Sequence, residues 1–195
     1  MKTLKYLLTA FLCCAMVYGL QAQEQYVIVN DAGQLLVKGT SNTSDWELKT
    51  QRLTGDAKLV VKEGEVTNIA GVVVDIDAKS IENPLNKRMT RKAQRTLRVS
   101  EHPVVTFFAY GYGRSANGPK QIQGTLSMAG KTNQVLFDFT TRIEDDIVWI
   151  VAVADAKFSD FGMEPPTDFG GAITCKDDIK IEVQLPFSLA QPGMD

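Results

Sequence analysis

The stretch from Gln121 to Arg142 constrains this chain more than any other. In its first half Ile122, Gly124, Leu126 and Met128 share one parity, while Gln121, Gln123, Thr125 and Ser127 share the other. A period of two marks a β-strand with one face buried and one in water. Gly130-Lys131 is then read as the reversal, with glycine supplying the positive φ of a tight turn. In the second half Val135, Phe137 and Phe139 alternate with Leu136, Asp138 and Thr140. The result is a hairpin with one greasy face, and the question becomes what such faces enclose.

The rest of the chain repeats the pattern. Strands are expected at Gln25–Val29 and Gln34–Gly39, the latter with Leu35 and Val37 on one side. GTSNTSD, from Gly39 to Asp45, reads as a polar loop. Trp46–Lys62 reads as one long strand or two broken near Gly55, with Ala57, Leu59 and Val61 on one face. Glu63-Gly64 is a turn, and in Ile69–Ala78 the residues Val72, Val74 and Ile76 oppose Val73, Asp75 and Asp77. Val104–Tyr112 is another strand, followed by a turn at Asn117-Gly118-Pro119. Glu144-Asp145-Asp146 turns the chain into the strongly apolar Ile147–Asp155, where Trp149, Val151 and Val153 share a parity. Phe158 to Gly171 is irregular by its prolines and glycines. Ile179, Ile181, Val183 and Leu185 mark the last strand, and a loose tail is expected from Pro186.

One helix interrupts the strands. Asn83 can cap it, Pro84 suits its first turn, and Leu85, Met89, Ala93 and Leu97 form an apolar stripe. Its other faces carry Lys87, Arg88, Arg91, Lys92, Arg95 and Arg98. The predicted span is Pro84–Leu97.

About eight strands, mostly joined by short turns, favour an antiparallel barrel or sandwich over a parallel sheet. Barrel closure removes exposed strand edges, and several strands are long enough for it. Eight staves can pack shut or hold one small apolar ligand.

Composition is ordinary for a single globular domain: 195 residues, 44% hydrophobic and 23% charged. Residues 1–22 read as a cleaved secretory signal, with a basic start, a 14-residue apolar run and Ala22 before Gln23. Residues 23–195 are then one domain, exported to the periplasm or secreted. Without Lys2 and Lys5, 19 basic residues face 23 acidic ones, a net charge of −4 that gives nucleic acid no reason to bind. Cys13 and Cys14 leave with the signal, so Cys175 has no partner for an internal disulfide and reads as a part-buried structural thiol.

The order of motifs resembles the YceI-like family, a group of periplasmic lipid- or polyisoprenoid-binding barrels. GTSNTSDWEL (39–48) is similar to its opening segment. The basic helix followed by EHPVVTF (101–107) resembles its helix–loop–strand signature. GTLSMAGKTNQV (124–135) looks like its central hairpin, and DFGMEPP (160–166) like a late loop. The resemblance covers about residues 34–187. It implies an all-β, lipocalin-like antiparallel barrel of about eight strands, with one inserted helix near 84–97 and an elongated apolar cavity. It also places Val105, Phe107 and Ala109 inward, leaving Phe108 and Tyr110 to pack under the helix or to serve a partner such as a second copy. Relatives often carry a histidine before the Asp-Trp pair, where this chain has Ser44. The ligand's head group therefore differs here, or the ligand is held by its tail alone.

The expected cavity walls are Val74, Ile76, Phe107, Leu126, Met128, Phe137, Phe139, Trp149 and Val151, with Trp46 at the mouth. Phe158, Phe161 and Met163 form a candidate lid, or a plug fixed by Pro165-Pro166. The same walls interlocked would make a solid core; residues alone favour that, and the resemblance favours a cavity. The expected function is a carrier or sequestering protein for an isoprenoid, quinone or fatty-acid-like lipid, held without covalent chemistry. The alternative is a filled-barrel structural or interaction module. The basic helix offers transient contact with a membrane surface, or simply a solvated face. Catalysis is not expected: His102 is the only histidine and sits before a proline, which leaves no histidine-rich metal site and no base–nucleophile set. Asp160, Glu164, Asp168 and Asp177-Asp178 lack calcium-loop spacing and read as solvated.

Overall fold

The computed structural model describes residues 23–111, 113–114 and 120–190, the pair 113–114 by backbone alone. The expected signal segment, the turn at 117–119 and Tyr112 lie outside the described residues. The strands are β1 Glu24–Ile28, β2 Gln34–Ser41, β3 Asp45–Thr50, β4 Leu53–Lys62, β5 Glu65–Asp77, β6 Val104–Ala109 and β7 Gly113–Arg114, then β8 Lys120–Met128, β9 Lys131–Glu144, β10 Ile147–Lys157, β11 Thr167–Asp168 and β12 Ile173–Leu189. Among the described residues one α-helix, α1, spans Lys87–Thr96.

Every strand pair is antiparallel. The ring runs β1-β4-β5-β6-β8-β9-β10-β12 and closes where Tyr26 to Ile28 pair with Leu189 to Phe187. This is the eight-stave barrel that the alternation and short turns imply. β2 and β3 continue β1 and β4 as one long bent hairpin, with β2 on the lower part of β12. Beyond Asp77 β5 stops, and the free edge of β3 is met by Glu82, whose backbone exchanges two hydrogen bonds with Lys49. Segment 78–97, including α1, thus stands where a stave is missing and forms one side of the barrel's mouth.

Several boundaries differ from the sequence reading. The 39–45 stretch is mostly strand; only Asn42–Ser44 turn, fixed by Ser41 Oγ accepting from the amides of Thr43 and Ser44. The break in Trp46–Lys62 falls at Gln51-Arg52, and Gly55 lies inside β4. Val61 packs against the core on the face of Ala57 and Leu59 as expected, opposite Val66. The central turn is Ala129-Gly130, both at positive φ (51° and 79°), the two-residue geometry that matches strand twist. Pro186–Leu189 is not loose; it is the segment of β12 that closes the barrel.

The helix begins three residues late. Asn86 caps it, its side chain accepting from the Met89 amide, while Asn83 is spent on a preceding turn and donates to the Glu47 carbonyl. Leu85 falls in that turn and is 97% exposed, so the stripe that packs is Met89, Ala93 and Leu97. Nor does α1 cover the outward aromatics: Tyr110 is 76% exposed and meets Phe108 edge-on at 4.4 Å.

Candidate ligand cavity

One end of the barrel is solid. Tyr26, Ile28, Leu59, Val66, Val148 and Phe187 are buried there against one another. Towards the other end the inward residues do not meet across the axis, and a cavity of about 410 Å³ runs from the mouth down to Ile69, Ile122 and Leu185. That volume lies in the range of small-ligand sites.

The wall follows from parity. β5 contributes Val74 and Ile76, β8 Leu126 and Met128, and β9 Phe137 and Phe139. Phe107 enters from β6 and meets Phe137 edge-to-face at 5.0 Å. It has room because the β8 residue its ring lies over, two along from its partner Leu126, is glycine: a Cβ on Gly124 would lie 2.3 Å from the Phe107 ring. Trp46 lies flat across its β2 partner Gly39, where a Cβ would fall 2.2 Å from the indole. Glycine at both positions accommodates an aromatic at the cavity surface.

Eight of the ten sequence-predicted wall residues line the cavity. Trp149 and Val151 do not; β10 buries the opposite parity, from Val148 through Ile150 and Ala152 to Ala156. Trp149 faces out, under the Arg142 guanidinium at 4.6 Å. Of the candidate lid, Phe158 and Met163 line the cavity, and Phe161 is fully buried without reaching it.

The mouth is framed by the Asn42–Ser44 turn, α1 and the loop from Pro166 to Ile173. Asn42 ties turn to loop, exchanging hydrogen bonds with Ala172 and Thr174. Asp168 ties loop to helix: it pairs with Arg88 and, at 3.1 Å, with Lys92, whose ammonium also donates to the Thr167 carbonyl. Burial pushes the Asp168 carboxyl up, but hydrogen bonds from Lys92, the Phe169 amide and Arg88 outweigh it and hold the group below the usual carboxylate range. Phe169 is 66% exposed beside the opening, with Arg88 over its ring at 4.5 Å. The late carboxylates are therefore anchors rather than merely solvated: Asp177 accepts from the hydroxyl and amide of Ser159, and Asp160 from the Lys157 amide. Sequence reasoning missed the mouth's polar half, Arg88 and Lys92 on Asp168 with Cys175 behind them, because it joins segments far apart in the chain.

The YceI-like domain family matches residues 23–187. The chain belongs to that family. Three solved structures are similar in fold. BcnA of Burkholderia cenocepacia superposes with a TM-score of 0.67 at 14% identity, over 82% of this chain and 98% of that one. A polyisoprenoid binding domain from Saccharophagus degradans gives 0.57 at 11% identity, over 87% and 100%. A mutant Campylobacter jejuni YceI protein with a monobromobimane guest gives 0.54 at 18% identity, over 71% and 81%. No curated protein matches the sequence. Among the described residues of this YceI-like domain, no three His, Cys, Asp or Glu side chains stand together as a metal site.

Proposed function

We propose that this YceI-like domain is a carrier or sequestering protein that holds an isoprenoid or other long-chain lipid in its barrel, without covalent chemistry and without catalysis. The observation that carries this reading is the continuous apolar cavity, opening at one end only. A lipid tail asks for no more than a dry channel, and each buried CH₂ is worth about 0.8 kcal/mol. The polyisoprenoid binding domain of like fold adds support. On this reading residues 1–22 export the protein to the periplasm or beyond, where a lipid crossing water needs a carrier.

The mouth suits transfer at an anionic membrane surface. Lys87, Arg91, Arg95 and Arg98 are exposed along α1, and among the described residues none has an ion-pair partner within 4 Å. Leu85 and Phe169 project as apolar tips beside them. Basic residues with apolar tips are the pattern of an interfacial anchor. A homodimer through the outward Phe108–Tyr110 pair is a further arrangement that sedimentation would reveal.

The test is native mass spectrometry of residues 23–195 purified from a periplasm without detergent, followed by organic extraction. A discrete added mass that leaves with the solvent is expected. A bare protein that also takes up no added isoprenoid quinone would overturn the reading in favour of a structural or interaction module.

A further inference from the structure

Charge bridges the side of the mouth between α1 and the loop after Pro166. Asp168 accepts from the Arg88 guanidinium and pairs with the Lys92 ammonium at 3.1 Å, while Lys92 also donates to the Thr167 carbonyl. Arg88 lies over the Phe169 ring at 4.5 Å. Among the described residues, every hydrogen bond and ion pair between helix and loop runs through Arg88 or Lys92. The loop's other ties do not involve the helix: Asn42 holds Ala172 and Thr174, and the Cys175 amide donates to the Pro166 carbonyl. At its tip a Cβ on Gly170 or Gly171 would meet open space. Letting go of Arg88 and Lys92 would therefore free the loop from α1 and leave it anchored to the barrel.

We propose that this clasp is a membrane-operated latch: lipid phosphates of an anionic surface replace Asp168 on Arg88 and Lys92, and the loop swings off α1 to open the cavity. This rests on the lipid-carrier reading and adds what triggers release. In water the latch holds, because hydrogen bonds keep the Asp168 carboxyl below the usual carboxylate range and so ionised at neutral pH. It is nevertheless open to exchange. The Arg88 side chain is 54% exposed, and an ion pair in contact with water is weak. Arg88 has Arg91 and Lys92 for neighbours on the next helical turn, so one carboxylate serves a crowded basic face. An anionic surface attracts those cations and repels Asp168, and both effects oppose the clasp. A phosphate takes a guanidinium through two parallel hydrogen bonds, and the exposed Phe169 ring gains by leaving Arg88 for the acyl boundary. The unpaired cations of α1 dock the helix without spending the latch. The mouth is thus shut in transit and opens where the cargo is delivered.

Protein of residues 23–195 is loaded with retinol, an uncharged fluorescent isoprenoid alcohol. It is mixed with excess vesicles of phosphatidylcholine alone, or of equal parts phosphatidylcholine and phosphatidylglycerol. Trp46 lines the cavity, so decay of tryptophan-sensitised retinol emission reports release, and vesicle flotation reports docking separately. The unsubstituted protein should release about tenfold faster to the anionic vesicles. Asp168→Asn should release quickly to both, with the ratio between compositions below about twofold, and Asp168→Glu should restore the ratio. If Asp168 merely stiffened the loop, Asp168→Asn would speed both rates equally and keep the ratio. That result would overturn the latch and leave the carrier standing. Equal release of the unsubstituted protein to both vesicles, or no flotation with the anionic ones, would do the same. Protein that takes up no retinol would overturn the carrier reading and the latch with it. The comparison of vesicles on unsubstituted protein decides the matter even if Asp168→Asn folds poorly.

Discussion

β9 and β10 lie side by side, pair from Glu144 with Ile147 to Asp138 with Val153, and face the same cavity, yet they speak differently in sequence. In β9 Val135, Phe137 and Phe139 alternate with Leu136, Asp138 and Thr140, so the wet face names the dry one. In β10, IVWIVAVADAK, both parities are apolar until Asp155. Bulk then misleads: Trp149, Val151 and Val153 look like the inner face, but the inner face is Val148, Ile150, Ala152, Ala154 and Ala156. Small side chains on one stave are part of why the barrel is hollow. Had Trp149 and Val151 turned inward opposite Phe107 and Phe137, much of the cavity volume would be side chain. The barrel is thus lined by large residues on β8 and β9 and by smaller ones on β10.

The largest test of this contrast is Phe139→Ala. Phe139 is almost fully buried and pairs with Ala152, so truncation removes the bulky half of the wall. Loss of a core phenylalanine costs about 3–5 kcal/mol, lowering the melting temperature by about 10 °C. A shift under about 3 °C would mean the site is already loosely packed and the contrast is wrong. Next is Ala152→Leu, which fills the cavity from the small side. It should cut lipid uptake at least tenfold, about 1.4 kcal/mol, while the melting temperature moves by only a few degrees. Uptake measured by extraction and stability by calorimetry must separate in this variant and fall together in Phe139→Ala.

A smaller effect is expected where the β10 side meets the mouth, at Asp168. Because its carboxyl is held below its ordinary value, the contribution of the Arg88 and Lys92 pairs is present above the ordinary carboxylate range near 3.9 and is lost as pH falls through the lowered folded value. Lipid release should therefore be flat near neutral pH and quicken only in acid. Asp168→Asn should give modestly faster release at pH 7, measured by transfer of a fluorescent lipid to vesicles. Release that stays slow in this variant down to acid pH would show that the loop is held by other contacts.

What was legible in the sequence follows from the same contrast. Strands with a polar face, β5, β8, β9 and β12, had their inward residues readable from alternation, and so did the helix stripe of Met89, Ala93 and Leu97. β10 was misread, because its own hydrophobicity does not distinguish its faces and its register follows only from the turn that joins it to its neighbour. A two-residue turn at Asp145-Asp146 pairs Glu144 with Ile147 and so Phe139 with Ala152, which fixes Ala152 on the inner face. The helix start was ambiguous because Asn83 and Asn86 are equally good caps, and the choice depends on a backbone carbonyl of β3. The mouth was not legible. Arg88 and Asp168 are 80 residues apart, and only closure of the barrel brings them together.

The smallest expected effect is on the outer face of β10. Trp149 stacks under Arg142 in partial contact with solvent, an arrangement worth about 0.5–1 kcal/mol. Trp149→Ala should lower the melting temperature by no more than about 4 °C and leave lipid affinity untouched. An inward tryptophan would behave otherwise, costing about 3–5 kcal/mol and opening the cavity to longer ligands. The variant therefore decides the orientation of the whole strand, since its side chains alternate and one reversed residue reverses all of them. Arg142→Gln completes the test. If the stacking accounts for the tryptophan's contribution, the double variant loses no more than the larger of the two single losses, whereas additive losses would assign the tryptophan's contribution to burial against β12, where it pairs with Pro186.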